Sequence, residues 1–197
     1  MFIIEKLYYV SLNILKESIF FGQAYTRIMT NNIHWFIGLP CSGKTTLAFK
    51  LYEKLKEKDE RIIILDGDIL RKGLNSDLNF SEQDRTENIR RIIELCKILF
   101  NQEYTIIVSV ITPLNIQREM IKKEFKNSVK LIYLECNIED CIERDVKGMY
   151  KKAMQGSIKN FTGIDGSFES PNLVDLKINT SKQSILECVE ILTNCFV

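Results

Sequence analysis

The run Gly38-Leu39-Pro40-Cys41-Ser42-Gly43-Lys44-Thr45 places glycine, lysine and a hydroxyl at the spacing G-x-x-x-x-G-K-T. Glycines at those positions let backbone N–H groups curl around phosphate oxygens, and a helix starting behind them adds the partial positive charge of its N-terminus. Lys44 is then placed to reach the outer phosphates of a nucleotide, and the Thr45 hydroxyl to hold Mg²⁺. Further on, Leu65-Asp66-Gly67-Asp68-Ile69-Leu70-Arg71 gathers two carboxylates and an arginine. One carboxylate suits a metal, directly or through water, or a proton taken from an attacking hydroxyl. The same segment also reads as a turn that caps a helix. Arg85 and Asn88 fall three apart, on one helix face, where together with Arg71 they suit an anionic substrate, because the planar guanidinium fork matches phosphate or sulfate oxygens. The stretch Arg144-Asp145-Val146-Lys147-Gly148, continuing to Asn160-Phe161-Thr162-Gly163, is basic and glycine-punctuated. It reads as a mobile lid over about residues 144–170, with Lys147 and Arg144 neutralising charge at transfer and closure excluding water.

These groups need a frame that brings them together. Ile33-His34-Trp35-Phe36-Ile37 reads as a buried strand before the glycine loop, and Thr46-Leu47-Ala48-Phe49-Lys50-Leu51-Tyr52 as an amphipathic helix after it. Further apolar runs at Arg61–Leu65, Tyr104–Ile111 and Lys130–Glu135 predict strands, and Leu176–Asn179 a fifth beside the first. Between them, Ser81 caps a long helix to about Asn101, with Glu82 and Asp84 in its first turn. Shorter helices are expected near Ile116–Phe125, Ile138–Arg144 and Ser181–Thr193. Continuous apolar strands alternating with helices predict an α/β fold of the P-loop NTPase type: a parallel sheet of about five strands, covered by helices on both faces. In such sheets ligands bind beyond the C-terminal strand ends, where the loop, Asp66, Thr112 and the segment after Glu135 all fall.

The 197 residues suit one domain, read as a phosphate-loop domain over 29–197 behind an extension over 1–28. The extension is apolar, with a helical stripe at Ile4, Leu7, Tyr8, Leu12, Leu15 and Ile19, but no uninterrupted run reaches the ~20 residues of a membrane span. A net charge of +1 gives no general attraction to nucleic acid or anionic membrane, so phosphate binding must be local. The six cysteines form no C-x-x-C pair, which fits free thiols in a reducing cytoplasm. N-x-[ST] matches at Asn79, Asn160 and Asn179 are chance matches on that view, and His34 and Trp35 are read as structural.

Three blocks together resemble the adenylyl-sulfate kinase family: Gly38–Thr46, Leu65–Arg91 and Arg144–Asp165. Their order and spacing span about residues 33–180, and the runs "DGD..R.GLN.DL.FS..DR.ENIRR" and "RD.KG.YKKA…FTGID" are far more specific than the loop alone. The resemblance implies ATP- and Mg²⁺-dependent phosphorylation of the ribose 3′-hydroxyl of adenosine 5′-phosphosulfate. It implies that Gly38, Leu39, Pro40, Cys41, Ser42, Gly43, Lys44 and Thr45, with Thr46 and Arg144, serve ATP. Asp66 would lie near Mg²⁺ and the 3′-hydroxyl, with Thr45 the other metal ligand. Asp68, Arg71, Arg85, Asn88, Ile111, Lys147 and Thr162 would be substrate contacts, and Phe80 and Phe161 the pair that sandwiches the base. Thr112 stands where the family carries a serine sometimes assigned as a phosphate carrier, although in-line transfer from ATP needs no such step. A homodimer is also implied. The chain departs from the family loop G-L-S-G-S-G-K-S at Pro40, Cys41 and Thr45, from a common asparagine at Ile69, and at Gly166, Ser167, Phe168 and Ser170. Cys41, in place of glycine, must avoid positive φ or bear strain. Two alternatives stay open: a related kinase for another 5′-modified nucleoside such as a cytidine diphosphoramidate of capsule synthesis, and a nucleotide-binding regulator without catalysis.

Overall fold

The computed structural model describes residues 32–58 and 61–197, so the extension read over 1–28 lies outside the described residues. Five parallel strands form one sheet among the described residues: β1 (Ile33–Ile37), β2 (Ile62–Asp66), β3 (Thr105–Ser109), β4 (Val129–Glu135) and β5 (Leu176–Asn179), in the order β2-β3-β1-β4-β5. The helices are α1 (Lys44–Lys56), α2 (Gly67–Leu70), α3 (Glu82–Asn101), α4 (Asn115–Phe125), α5 (Ile138–Arg144), α6 (Met149–Met154) and α7 (Ile185–Phe196).

Every residue of β1 is buried, because the strand is paired on both sides and covered on both faces. Its alternate side chains divide between two cores. Ile33, Trp35 and Ile37 pack with Ile89, Ile92 and Cys96 of α3, whereas Phe36 packs with Leu47 and Leu51 of α1 and Leu192 of α7. Each fully buried aliphatic side chain of this kind contributes roughly 1.5–3 kcal/mol. Ser81 caps α3 as its position predicts, its hydroxyl accepting from the Asp84 backbone N–H.

The expected order needs one correction. β5 lies beside β4, with Ile132 opposite Leu176, and not beside β1, whose two edges are already taken by β3 and β4. Boundaries also move, most of all at the end of β3 and the start of the last helix. β3 stops at Ser109 rather than Ile111, because the chain turns out of the ladder through Thr112, at φ 48°, and Pro113, which has no N–H to donate. The last helix starts at Ile185, capped by Ser184. The expected start at Ser181 instead forms a turn in which the Asn179 side chain accepts from the Ser181 and Lys182 backbones.

A third core determines what the expected lid is made of. Tyr150, Ala153 and Phe161 pack with Cys136 and Cys141 and against Leu39 and Cys41 of the glycine loop. Tyr150 is fully buried, and its hydroxyl donates to the Pro40 carbonyl at 3.1 Å. The segment is therefore anchored beneath the phosphate loop through Tyr150, Ala153 and Phe161, while Val146 and Lys147 stand exposed between α5 and α6.

Candidate active site

A cavity of about 670 Å³ opens where β2 and β3 end and α1 begins, with the lid segment along its rim. The glycine loop forms one wall. A Cβ on Gly38 would stand 2.8 Å from the Leu134 carbonyl, and Gly43 sits at φ 95°, so both positions require glycine. Cys41 does not avoid the left-handed region: its φ is 61°, and it bears the strain that its position implies. Lys44 is almost fully buried. Its Nζ donates to the carbonyls of Gly38 at 2.9 Å and Leu39 at 2.6 Å, and burial pulls its ammonium down to about 8 from an ordinary 10.5.

Thr45, at the start of α1, donates through its hydroxyl to Asp66 Oδ2 at 2.8 Å and lies 3.4 Å from the Ser109 hydroxyl. Asp66 ends β2 and caps α2, its Oδ1 accepting from the Asp68 backbone N–H at 2.9 Å. The two readings of this segment, carboxylate site and helix cap, are thus satisfied by the same side chain. Thr45, Asp66 and Ser109 together present hard oxygen donors of the kind Mg²⁺ takes when phosphates and water complete its shell. Asp68 faces Lys147 of the lid segment across the rim in an ion pair.

The far end is built by long-range ties. The Arg71 guanidinium lies 4.8 Å from the centre of the Phe80 ring and donates to the Leu78 carbonyl at 3.0 Å. Arg85 donates through Nε to the Phe80 carbonyl at 3.1 Å and through Nη2 to the Asn160 carbonyl at 2.7 Å. It therefore joins the segment carrying Phe80 to the segment carrying Phe161. Asp165 fixes the second of these, its carboxylate accepting from the Asn160 and Phe161 backbones at 2.8 and 2.7 Å. Burial lowers Arg85 to about 10, well above neutral pH, so it stays cationic there. Asn88 accepts from Asn75, which is fully buried.

Most of the sequence-predicted residues meet here. Pro40, Cys41, Gly43, Lys44, Thr45 and Thr46 line the cavity at the loop. Asp66, hydrogen-bonded to Thr45, lines it beside them, and so do Asp68, Arg71, Phe80, Arg85, Asn88, Ile111, Thr112, Arg144, Lys147 and Phe161. Gly38, Leu39 and Ser42 shape the loop from behind. Thr162 is fully buried beneath the wall, its hydroxyl without a partner among the described residues. Arg144 is tied to the Thr180 carbonyl at 2.6 Å and to the Cys136 sulfur, close to a third lobe lined by Gln183, Ser184, Ile185 and Cys188. Sequence reasoning missed that lobe, and it missed Ser109 and Asn75. Ser109 had one available signal, a hydroxyl at the end of a predicted apolar strand. Asn75 stood within the quoted "GLN" run but was not singled out, because its role rests on its bond to Asn88 of α3.

The family profile described as Adenylylsulphate kinase matches residues 30–179. An adenylyl-sulfate kinase of Clostridium acetobutylicum is 44% identical over 156 residues, which cover 79% of this chain and 78% of the relative. One of Marinobacter nauticus is 42% identical, covering 80% of each. The solved structure of the Mycobacterium tuberculosis APS kinase CysC in complex with AMPPNP and APS superposes with a TM-score of 0.78 at 36% identity, covering 83% of this chain and 96% of that one. A loop-and-carboxylate phosphate site, an arginine-braced aromatic wall and these likenesses over four-fifths of the sequence lead to one statement: the chain belongs to the adenylylsulphate kinase family.

Proposed function

We propose that this protein transfers the γ-phosphate of ATP to the ribose 3′-hydroxyl of adenosine 5′-phosphosulfate, forming 3′-phosphoadenosine 5′-phosphosulfate and ADP. The carrying observation is one cavity of about 670 Å³ with a phosphate site at the glycine loop and an aromatic, arginine-lined wall opposite, room for two nucleotides meeting head to head. In this reading the loop amides and Lys44 hold the ATP phosphates, whose charge restores the Lys44 ammonium that burial weakens. Arg144 and the lobe at Gln183–Cys188 receive the ATP base. Phe80 and Phe161 hold the acceptor base, with Asp68, Arg71, Asn88, Ile111, Lys147 and Thr162 on the acceptor side, and Asp66 orients the 3′-hydroxyl or accepts its proton. Thr45 and Asp66 would hold Mg²⁺, which when bound spreads the charge developing on the phosphates. Val146 and Lys147 form the moving part of the lid, and rupture of the Lys147–Asp68 pair admits the acceptor.

Among the described residues no helix is long and apolar enough to cross a membrane. Work in the cytoplasm, in a domain over 29–197 that pairs as a homodimer, completes the reading; light scattering checks the dimer. The decisive test is turnover with ATP and a panel of 5′-modified nucleosides, including a cytidine diphosphoramidate, with product position read by phosphorus NMR. Phosphate on the 3′-oxygen of adenosine 5′-phosphosulfate supports the proposal. Preference for another nucleoside, or no transfer, defeats it.

A further inference from the structure

Thr112 is the one singled-out residue that the transfer chemistry leaves without a task. Its hydroxyl faces away from any phosphate role: it is 1% exposed and accepts from the indole Nε1–H of Trp35 at 2.9 Å. Its backbone is unusual as well. A β-branched residue before proline favours extended backbone, yet Thr112 sits at φ 48°, a strained conformation that persists only when the surroundings impose it. The surroundings here are specific. Arg118 of α4, with no exposed surface, donates to the Thr112 carbonyl through Nε at 3.1 Å and Nη2 at 3.0 Å, and Nη2 also reaches the Pro113 carbonyl at 3.0 Å. The hydrogen-bond partners of this guanidinium among the described residues are those carbonyls and the Asn115 side chain, and it lies 5.3 Å from the centre of the Phe168 ring. On the other side, the Gly38 backbone N–H donates to the Ile111 carbonyl at 3.3 Å.

Residues 111–113 line the cavity between its two ends. They are tied to the strand and loop that hold the donor through Trp35 and Gly38, and to α4 through Arg118. We infer that Trp35, Thr112 and Arg118 form a clamp that fixes this wall at the spacing in-line transfer requires, so that Thr112 is a positioning residue and not a carrier of phosphate. A phosphoryl group on Thr112 would have to displace a buried indole and find room where the side chain has almost none. The inference deepens the kinase proposal and rests on it.

The test uses the full chain and a double-mutant cycle. Trp35→Phe keeps an aromatic ring but removes the donor, and Thr112→Val keeps the shape but removes the acceptor. Each should lower kcat about tenfold with the KM for ATP changed less than about twofold, since a misplacement near 1 Å can cost up to about a hundredfold. The double variant should lose no more than either single one, and Thr112→Ser, which restores the oxygen, should recover turnover. Trp35 is the only tryptophan in the chain, so its indole N–H gives one NMR signal. That signal should move in Thr112→Val and stay in Thr112→Ser, a readout that needs no activity and survives if Trp35→Phe fails to fold. Losses that multiply to about a hundredfold, an unmoved indole signal, full turnover in Thr112→Val, or a covalent phosphate on Thr112 by intact-protein mass after incubation with ATP would each overturn the clamp. A parent protein that transfers nothing to adenosine 5′-phosphosulfate defeats the kinase proposal instead, and the indole signal still decides the clamp.

Discussion

The two ends of the cavity are held in different ways. At the phosphate end, the cation Lys44 is tied to carbonyls five and six residues before it, within one continuous loop. At the acceptor end, Arg85 is tied to the carbonyls of Phe80 and Asn160, the second of them 75 residues away. In both places a buried cation is satisfied by backbone oxygens, as burial demands. The consequences of removing it differ. Loss of Lys44 deletes a charge from a loop that keeps its shape through glycine geometry and the helix behind it. Loss of Arg85 also releases one wall of the slot from the other, so a single substitution there changes geometry as well as charge.

The largest expected effect tests the phosphate end. Lys44→Ala should lower kcat about a thousandfold, the upper range for removing one preorganised group that stabilises charge at transfer. Circular dichroism and melting temperature should stay close to the parent, because the loop does not depend on the lysine for its fold. A variant that loses its fold would show that the two ends are braced alike. The next effect lies behind both ends. His34 in β1 is held down to about 4 from an ordinary 6.5, first by burial and then by Lys130. Between those values the unfolded chain takes up a proton that the folded chain refuses, so the His34 contribution to stability falls as pH drops from 6.5 to about 4 and changes no further below. The loss is about 3 kcal/mol, and His34→Phe, beside Phe196, should flatten that part of a urea-denaturation series against pH. Both ends should lose ligand binding together on that slope; separate losses would place the acid sensitivity elsewhere.

The same contrast explains what could be read from the sequence. The phosphate end was legible almost residue by residue, because its chemistry sits in contiguous positions with one strand tip, Asp66, added. The strands were legible from apolar runs, but not the place of β5, since a four-residue edge strand carries no mark of its neighbour. Of the residues proposed for the acceptor, Arg71, Arg85 and Asn88 were visible from residue type and spacing, whereas Phe80, Ile111 and Thr162 were singled out only through the family resemblance; spacing put Arg85 and Asn88 on one face without saying that Arg85 reaches Asn160. Trp35 was correctly expected in the core, but nothing local showed that its indole N–H would meet Thr112, 77 positions later. Arg118 was silent for the same reason, and Tyr150, though within a quoted motif, gave no sign of its contact with Pro40. Their significance is burial, and burial is decided by elements far along the chain.

Arg85→Lys addresses the acceptor end directly. Lysine keeps the charge but lacks the planar fork that reaches two carbonyls at once. Losing one charge-assisted bond of this kind costs about 2 kcal/mol, which is about thirtyfold. The KM for the acceptor should rise by that factor while the KM for ATP stays within about twofold, measured by varying each substrate at saturation of the other. An equal rise in both would mean that Arg85 braces the whole cavity and that its two ends are not independent.

The smallest effect concerns the one place where the phosphate end departs from its own economy. Cys41 holds φ 61° in a loop position that glycine fills without strain. Its side chain packs in part against the core beneath the lid, so removing it carries a cost of its own. Comparing Cys41→Gly with Cys41→Ala cancels that cost, because both lose the same thiol. The remaining difference is the left-handed backbone, about 1 kcal/mol in favour of glycine after its extra freedom in the unfolded chain is subtracted. Glycine should therefore unfold at higher urea than alanine. The opposite ranking would mean that the loop relaxes at position 41 once the thiol is gone, and that the phosphate end owes more to the core under the lid than to its own backbone.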